Sequence, residues 1–272
     1  MAIALDSCGY FVRALAGRPA SPGMENVDEL QQLPPTELIL ITTPDDAIAE
    51  VAQRLTLCET GRSRKPTVLH TSGALSSEVL SPLAQLRFHT GSLHPLVSIS
   101  EPRAGAKALR GAFYCLEGDK TALQIARRIV EDLQGKSFSI RPESKALYHA
   151  AAVMASPHLV ALFDLAAEML ASAGVSKSRA RQILLPLVDS TVNNLMASTP
   201  EKALTGTFAR GDVATVRRHL KAVKIPSLKK LAGALEVYKL LGLHSLELAE
   251  KNGLDPKLSE EIRKLLNSDD FA

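Results

Sequence analysis

The stretch that most constrains the fold covers residues 142–174, PESKALYHAAAVMASPHLVALFDLAAEMLASAG. It predicts one long helix that is almost wholly apolar over residues 146–163. A helix that is apolar on all sides belongs inside a membrane or a protein core. About 20 apolar residues span a bilayer, but the histidines, the proline and the flanking charges here favour a protein core. Pro157 lacks a backbone donor, which predicts a kink at that point.

A narrow polar stripe interrupts this helix. Lys145, His149 and Ser156 are spaced by four and then seven residues, so they share one helix face. We therefore expect a buried helix with one polar edge that faces a cleft. His158 points to the opposite side and is expected to be structural.

Strands alternate with helices before this stretch. Short apolar runs predict strands at 37–43, 66–73, 91–96, 111–118 and 136–142, with helices at 44–55 and 119–135. Such alternation indicates βαβ units and a mainly parallel sheet. The chain after residue 174 shows only helical patterns. We predict an α/β domain over residues 1–141, followed by an all-α domain over residues 142–272.

Polar turns follow three of the predicted strands, at residues 42–46, 70–73 and 91–95. In open α/β sheets such turns meet at the carboxyl edge, where ligands bind. We expect Thr42, Thr43 and Pro44 to contact a ligand there. In the next turn, Thr71 and Ser72 have hydroxyl groups, and Gly73 has no side chain to cover the backbone. This turn could bind a carboxylate or a carboxamide. The alternative is that both turns only cap helices.

Composition argues against several classes of protein. The net charge is +3, with Lys and Arg scattered along the chain, which argues against nucleic-acid binding. Cys8, Cys58 and Cys115 form no CxxC pair, which predicts a reducing cytoplasm and no metal site. The first residues lack the pattern of a signal peptide. We expect a cytoplasmic protein that binds no metal and no membrane.

Several strings together resemble one bacterial family: TTPDDAI, LHTSG, GSLHPL, KALYHAAAVMAS, LLPLVDSTVNNL and ALTGTFARGDVATVRRHL. This family joins a Rossmann-like domain to a C-terminal helical domain of unknown function, DUF2520. The resemblance implies an NAD(P)-dependent oxidoreductase similar to pyrroline-5-carboxylate reductase, prephenate dehydrogenase and the β-hydroxyacid dehydrogenases. It also implies a dinucleotide at the sheet edge, with Thr42, Thr43 and Pro44 at its nicotinamide ribose. A small-molecule substrate between the domains and a homodimer built on the C-terminal helices are implied as well.

The same resemblance suggests roles for individual residues. Residues 11–15 are predicted to form a short strand that aligns with the second strand of Rossmann proteins, and Arg18 follows it. Related enzymes read the adenosine ribose or its 2′-phosphate at this place, so Arg18 suits NADP over NAD. His94 resembles the His-Pro motif beside the substrate of prephenate dehydrogenases. Lys145 and His149 resemble the Lys and Asn of β-hydroxyacid dehydrogenases, with His in place of Asn. Lys145 or His149 could transfer the proton of a substrate hydroxyl. Tyr148 could orient the substrate. The alternative for each is structural: a solvated loop arginine, a histidine bonded to backbone, or an exposed lysine.

The helical part offers one further candidate. The string TGTFARGD at 205–212 predicts a loop that binds an anion, with Arg210 as its charge and the substrate as the ligand. The alternative is that Asp212 caps the following helix and Arg210 lies on the surface.

The N-terminus departs from the family pattern. Rossmann proteins open with a strand and GxGxxG, whereas no two glycines here are separated by one residue. We therefore expect an N-terminally shortened Rossmann-like domain, through a start codon placed too late or a real loss. The first hypothesis is an NADP (or NAD) oxidoreductase acting on a small carbonyl or hydroxy acid. The second is a non-catalytic dimeric binding or regulatory protein that lost the phosphate loop.

Overall fold

A computed structural model describes residues 1–15, 26–27, 29–30, 33, 35–58, 65–224 and 233–268. The chain divides into two compact units, Met1–Pro157 and His158–Ala272. The domain boundary predicted from the sequence lies earlier, between residues 141 and 142. Arg18 lies outside the described residues, so its predicted contact with the cofactor stays a prediction.

The first unit is an α/β structure. Its strands are β1 (Ala14–Leu15), β2 (Asn26–Val27), β3 (Leu38–Ile41), β4 (Thr67–His70), β5 (His89–Pro95), β6 (Phe113–Gly118) and β7 (Lys136–Ser139). Its helices are α1 (Ala2–Asp6), α2 (Asp45–Thr56), α3 (Ser81–Gln85), α4 (Pro102–Ala108), α5 (Lys120–Asp132) and α6 (Lys145–Ala155).

The main sheet has the order β3-β4-β5-β6-β7, and β1 and β2 form a separate two-stranded sheet. Strands β3, β4 and β5 are parallel, β6 runs antiparallel to β5, and β7 is parallel to β6. The prediction of a mainly parallel sheet is therefore confirmed. Because β3, β4 and β5 are neighbours with one direction, their carboxyl ends meet at one edge of the sheet.

Both faces of this sheet are covered. Val68 and Leu69 are fully buried, and as consecutive strand residues they point to opposite faces. Val68 packs in one cluster with Ile48 of α2, while Leu69 packs in another with Ile129 of α5. The unbroken apolar runs of the central strands follow from burial on both faces.

The long apolar stretch is two helices. Helix α6 ends at Ala155 and α7 (Pro157–Ser172) begins after Ser156, whose φ of −127° and ψ of −78° are not helical. The kink predicted at Pro157 is thus confirmed. By length and composition alone, the described stretch Pro142–Ser172 could cross a membrane.

The predicted burial of this stretch is wrong for the single chain. In α6 only Lys145 is buried, and in α7 only Ala167. Leu147 and Met154 are 76% and 62% exposed. These apolar side chains stay exposed because none of the residues that the structure describes covers them.

The second unit is helical. After α7 it contains α8 (Lys177–Ala197), α9 (Pro200–Ala203), α10 (Gly206–Ala209), α11 (Val213–Val223), α12 (Ala234–Lys251) and α13 (Pro256–Asn267). Its core joins α11, α12 and α13 through Val216, Leu220, Leu246 and Ile262. The predicted loop at 205–212 instead contains the short helix α10. Asp212 accepts a hydrogen bond from the Thr215 N–H at 2.9 Å, so it caps α11.

Candidate functional site

A buried lysine lies at the centre of the candidate site. Lys145, the first residue of α6, is 1% exposed, and its Nζ donates to Ser92 Oγ at 2.6 Å. Ser92 in turn donates to the Ser72 carbonyl at 3.4 Å. Ser92 lies in register with His70 on β4, and His94 follows two residues later on the same face of β5. The sheet therefore places His70, Ser92 and His94 together beneath the start of α6.

The ammonium of Lys145 has no carboxylate close by. Burial lowers the pKa of Lys145, and more distant interactions with Cys115, Glu117 and Asp45 oppose that shift. Among the described residues, none forms an ion pair with it within 4.0 Å. The buried carboxylate of Glu117 accepts from the N–H and the hydroxyl of Ser77, each at 2.7 Å. A buried cation without a contacting anion is costly, which favours its neutral form or an incoming anion.

His94 is held by Tyr148. Its Nδ1 lies 2.6 Å from the Tyr148 hydroxyl. Burial raises the pKa of Tyr148, so the hydroxyl keeps its proton and can donate it to Nδ1. That arrangement leaves a proton on Nε2 of the neutral ring. Burial, followed by the nearby charge of Lys145, lowers the pKa of His94 to about 4, so the ring is neutral at physiological pH.

His70 is fully buried at the end of β4. Its Nδ1 accepts from the Ser72 N–H at 3.2 Å, so the proton of the neutral ring is on Nε2. Burial and then Lys145 lower the pKa of His70 to about 4, while the neighbouring Ser76 carbonyl acts in the opposite direction. Among the described residues, no group completes a hydrogen bond to Nε2.

Gly73 lies directly against the imidazole rings of His94 and His149. A Cβ at this position would lie 2.8 Å from His94 Nε2 and closer still to His149 Nδ1. The backbone of Gly73 is not left-handed, so the glycine is required here for space. The His94 and His149 rings meet edge to face, with centroids 5.8 Å apart. His149 Nδ1 is buried without a hydrogen-bond partner in the described part of the chain.

The predicted cofactor residues lie at the same sheet edge. Thr42, Thr43 and Pro44 are exposed after β3. The Thr71 N–H donates to the Ile41 carbonyl at 3.1 Å and ties β4 to β3. Acidic residues in the first turn of α2, among them Asp45, make its N-terminus unfavourable for a pyrophosphate. The exposed threonines fit a ribose or a carboxamide better.

The hydroxyl of Ser72 is used within its own turn. It donates to Asp45 Oδ2 at 2.8 Å and accepts from the N–H groups of Ala74 and Leu75 at 3.1 and 2.9 Å. The backbone N–H and carbonyl of Ser72 are engaged as well, with His70 Nδ1 and the Ser92 hydroxyl. The hydroxyl of Ser72 thus stabilises its own turn, while Ser76 caps the short helix Ser77–Leu80 by accepting from the Glu78 N–H.

The structure brings most of the predicted site residues together and leaves others apart. Lys145, His149, His94 and Tyr148 lie around Gly73. Arg210 is exposed in the second unit, next to the Asp212 cap. The roles of all these residues stay predictions.

Ser92 was not identified from the sequence, and His70 was assigned no role in the site. The period of two along β5 could have found Ser92, because it shares a face with His94. Within the described ranges, no group of three or more His, Cys, Asp or Glu residues is arranged to hold a metal ion.

Two family models match the sequence. Residues 12–95 match a Rossmann-like domain, and residues 112–245 match the Domain of unknown function DUF2520. No curated protein sequence matches the chain.

Solved structures resemble the whole chain. Protein TM1727 from Thermotoga maritima is 27% identical, with a TM-score of 0.66 over 85% of this chain and 84% of that chain. The "putative NADP oxidoreductase BF3122" from Bacteroides fragilis is 21% identical, with a TM-score of 0.67 over 90% and 92%. Plasmodium falciparum pyrroline carboxylate reductase, solved with NADP bound, is 9% identical, with a TM-score of 0.56 over 98% and 93%. At identities of 21% and 9%, the similarity to the last two structures shows a shared fold alone.

Proposed function

Because the chain joins a Rossmann-like domain to a DUF2520 domain, we propose that it is an NADP-dependent oxidoreductase. It transfers hydride between the nicotinamide and a small carbonyl or hydroxy-acid substrate. One observation carries this proposal: the ammonium of Lys145 is buried at the carboxyl edge of β3–β5, beside His94 and His149. Ligands bind at this edge in open α/β sheets.

The turns that follow β3 and β4 suit the nicotinamide end of the cofactor. Thr42 and Thr43 would hold the ribose, and the backbone of Thr71 and Gly73 would face the carboxamide. NADP is chosen over NAD because two proteins of this fold are named for NADP or were solved with it. When bound, the cofactor supplies or accepts the hydride.

The protein must then move one proton. Oxidation of a C–OH group releases a proton from its oxygen, and reduction of a carbonyl requires one there. Lys145 suits this task because burial lowers its pKa, which makes the ammonium a better proton donor and the neutral amine more accessible. Ser92 holds the Nζ in place at 2.6 Å. His149, on the same face one turn later, is the second group within reach of a substrate above Gly73.

We further propose that the protein is a homodimer through its C-terminal helices. Helix α8 has 21 residues, of which only Ala180 is buried. A helix gains most of its stability from packing an apolar face, yet α8 exposes several large apolar side chains: Ile183, Leu185, Leu187, Val192, Leu195 and Met196. A two-fold interface would let this patch cover itself. A cytoplasmic location stays a prediction.

A hydride-transfer assay tests the proposed function. The purified protein is mixed with NADP⁺ and a panel of small hydroxy acids, and absorbance of NADPH is followed. We expect turnover with at least one substrate, and a loss of about 10²-fold or more in Lys145→Met. The exposed Lys107→Met is the matched control and should retain full activity. Absence of turnover together with absence of NADP⁺ binding would support the non-catalytic alternative.

A further inference from the structure

Glu117 on β6 is a buried acidic residue that the proposed proton transfer does not use. Its side chain lies in the interior, since the residue is 3% exposed. Both of its oxygens accept hydrogen bonds, as those of an ionised carboxylate do. Among the described residues, no cation lies within 4.0 Å of it. A buried charge is costly unless an opposite charge offsets it.

The sheet places Glu117 on the same face as Lys145. Ser92 on β5 is in register with Glu117 on β6 and with His70 on β4, so these three side chains project from one face. Side chains paired in this way on antiparallel strands are about 5 Å apart at Cβ. The Lys145 Nζ donates to Ser92 Oγ at 2.6 Å. Glu117 and Lys145 are therefore two buried charges of opposite sign, both next to Ser92.

Ser77 holds the Glu117 carboxylate in place. The backbone N–H and the hydroxyl of Ser77 each donate to it at 2.7 Å. Ser77 is the first residue of the short helix Ser77–Leu80, where backbone N–H groups have no partner within the helix. A carboxylate in direct contact with Lys145 would occupy N–H groups of the ammonium. Because Ser77 binds the carboxylate instead, the N–H groups of Lys145 that Ser92 does not use stay available to a reacting oxygen.

The other ionisable groups near Lys145 do not supply this negative charge. The pKa values of His70 and His94 are lowered to about 4, so both rings are neutral at physiological pH. Burial raises the pKa of the Cys115 thiol, which favours its neutral form. Asp45 is exposed, so solvent screens its charge. The groups that face Lys145 from the surrounding elements are Asp45 on α2, His70 on β4, His94 on β5, Cys115 and Glu117 on β6, and Tyr148 and His149 on α6.

We propose that Glu117, fixed by Ser77, is the buried counter-charge of Lys145 and thereby a positioning residue for the proton transfer. The inference rests on the proposed function, which assigns that transfer to Lys145. Loss of the negative charge makes the ammonium less favourable, so Lys145 should release its proton at a lower pH.

Carbon-13 NMR of the lysine Cε atoms measures this titration without cofactor or substrate. The signal of Lys145 is identified by its absence in Lys145→Met. Glu117→Gln removes the charge but keeps groups that can bond to Ser77, and we expect Lys145 to titrate about one pH unit lower than in the wild type. Ser77→Ala keeps the carboxylate, and Glu78→Gln makes the same chemical change at an exposed position. Lys145 should titrate in both of these controls as it does in the wild type.

Two results would overturn the inference: an unshifted titration of Lys145 in Glu117→Gln, or an equal shift in Ser77→Ala. If Glu117→Gln does not fold, the double variant with Lys145→Met decides. It lacks both charges and should fold, whereas an unfolded double variant would mean that Glu117 acts only through its bonds to Ser77. If Lys145 shifts as expected but the protein neither binds NADP⁺ nor turns over a substrate, the charge pair stands and the oxidoreductase proposal falls.

Discussion

The replacement Gly73→Ala tests the packing of the candidate site most sharply. The new methyl group would lie 2.8 Å from His94 Nε2 and closer to His149 Nδ1. Alanine is compatible with the backbone at this position, because Gly73 has no positive φ. The cost must therefore come from crowding alone, which typically amounts to about 1–3 kcal/mol for an added methyl in a packed site.

Urea unfolding of four proteins gives that cost and its cause: the wild type, Gly73→Ala, His149→Ala and the double variant. We expect Gly73→Ala to lower the free energy of unfolding by about 1–3 kcal/mol. Removing the His149 ring relieves the closer of the two contacts and leaves the one with His94, so the two changes should couple by about 1 kcal/mol or more. An unchanged stability in Gly73→Ala, or strictly additive effects in the double variant, would refute the contact between this turn and α6.

Three further predictions concern stability and assembly. Because the pKa of His70 is lowered from 6.5 to about 4, the unfolded state binds the proton first, and His70 should lower the free energy of unfolding by up to about 3 kcal/mol between pH 6.5 and 4. The pKa of His94 is lowered to about 4 as well, so in urea titrations at several pH values His70→Gln should reduce the slope, and adding His94→Gln should remove most of the rest. Asp119 accepts from the backbone N–H groups of Thr90, Thr121 and Ala122, so Asp119→Ala should lower the melting temperature through a loss of about 1–2 kcal/mol, and an unchanged value would contradict that capping role. Leu187 is 64% exposed on α8, so Leu187→Glu should halve the molar mass found by light scattering if α8 forms the dimer interface.

Much of the α/β unit could be predicted from the sequence. Apolar runs such as the one that became β3 are long enough to be strands and too short for helices, and the turns after them carry small polar residues. The period of four between Lys145 and His149 placed both on one helix face without knowledge of the fold. These features depend on neighbours in the chain, which is why local reasoning reached them.

Other features depend on distance in space and were beyond such reasoning. The bond from Lys145 to Ser92 requires β5 to lie beneath the start of α6, which spacing along the chain does not fix. The role of Gly73 depends on ring positions on β5 and α6. The exposure of α6 and α7 could not be foreseen, because an apolar helix has the same pattern whether its own chain or a second copy covers it.

The central claim is that the chemistry takes place above Gly73, where the carboxyl ends of β3–β5 meet the start of α6. A crystal structure of the protein soaked with NADP⁺ tests this claim directly. We predict electron density for the nicotinamide between Thr42 and Gly73, with its ring facing Lys145. Density for the nicotinamide elsewhere on the protein, with the Lys145 site open and unchanged, would contradict the account.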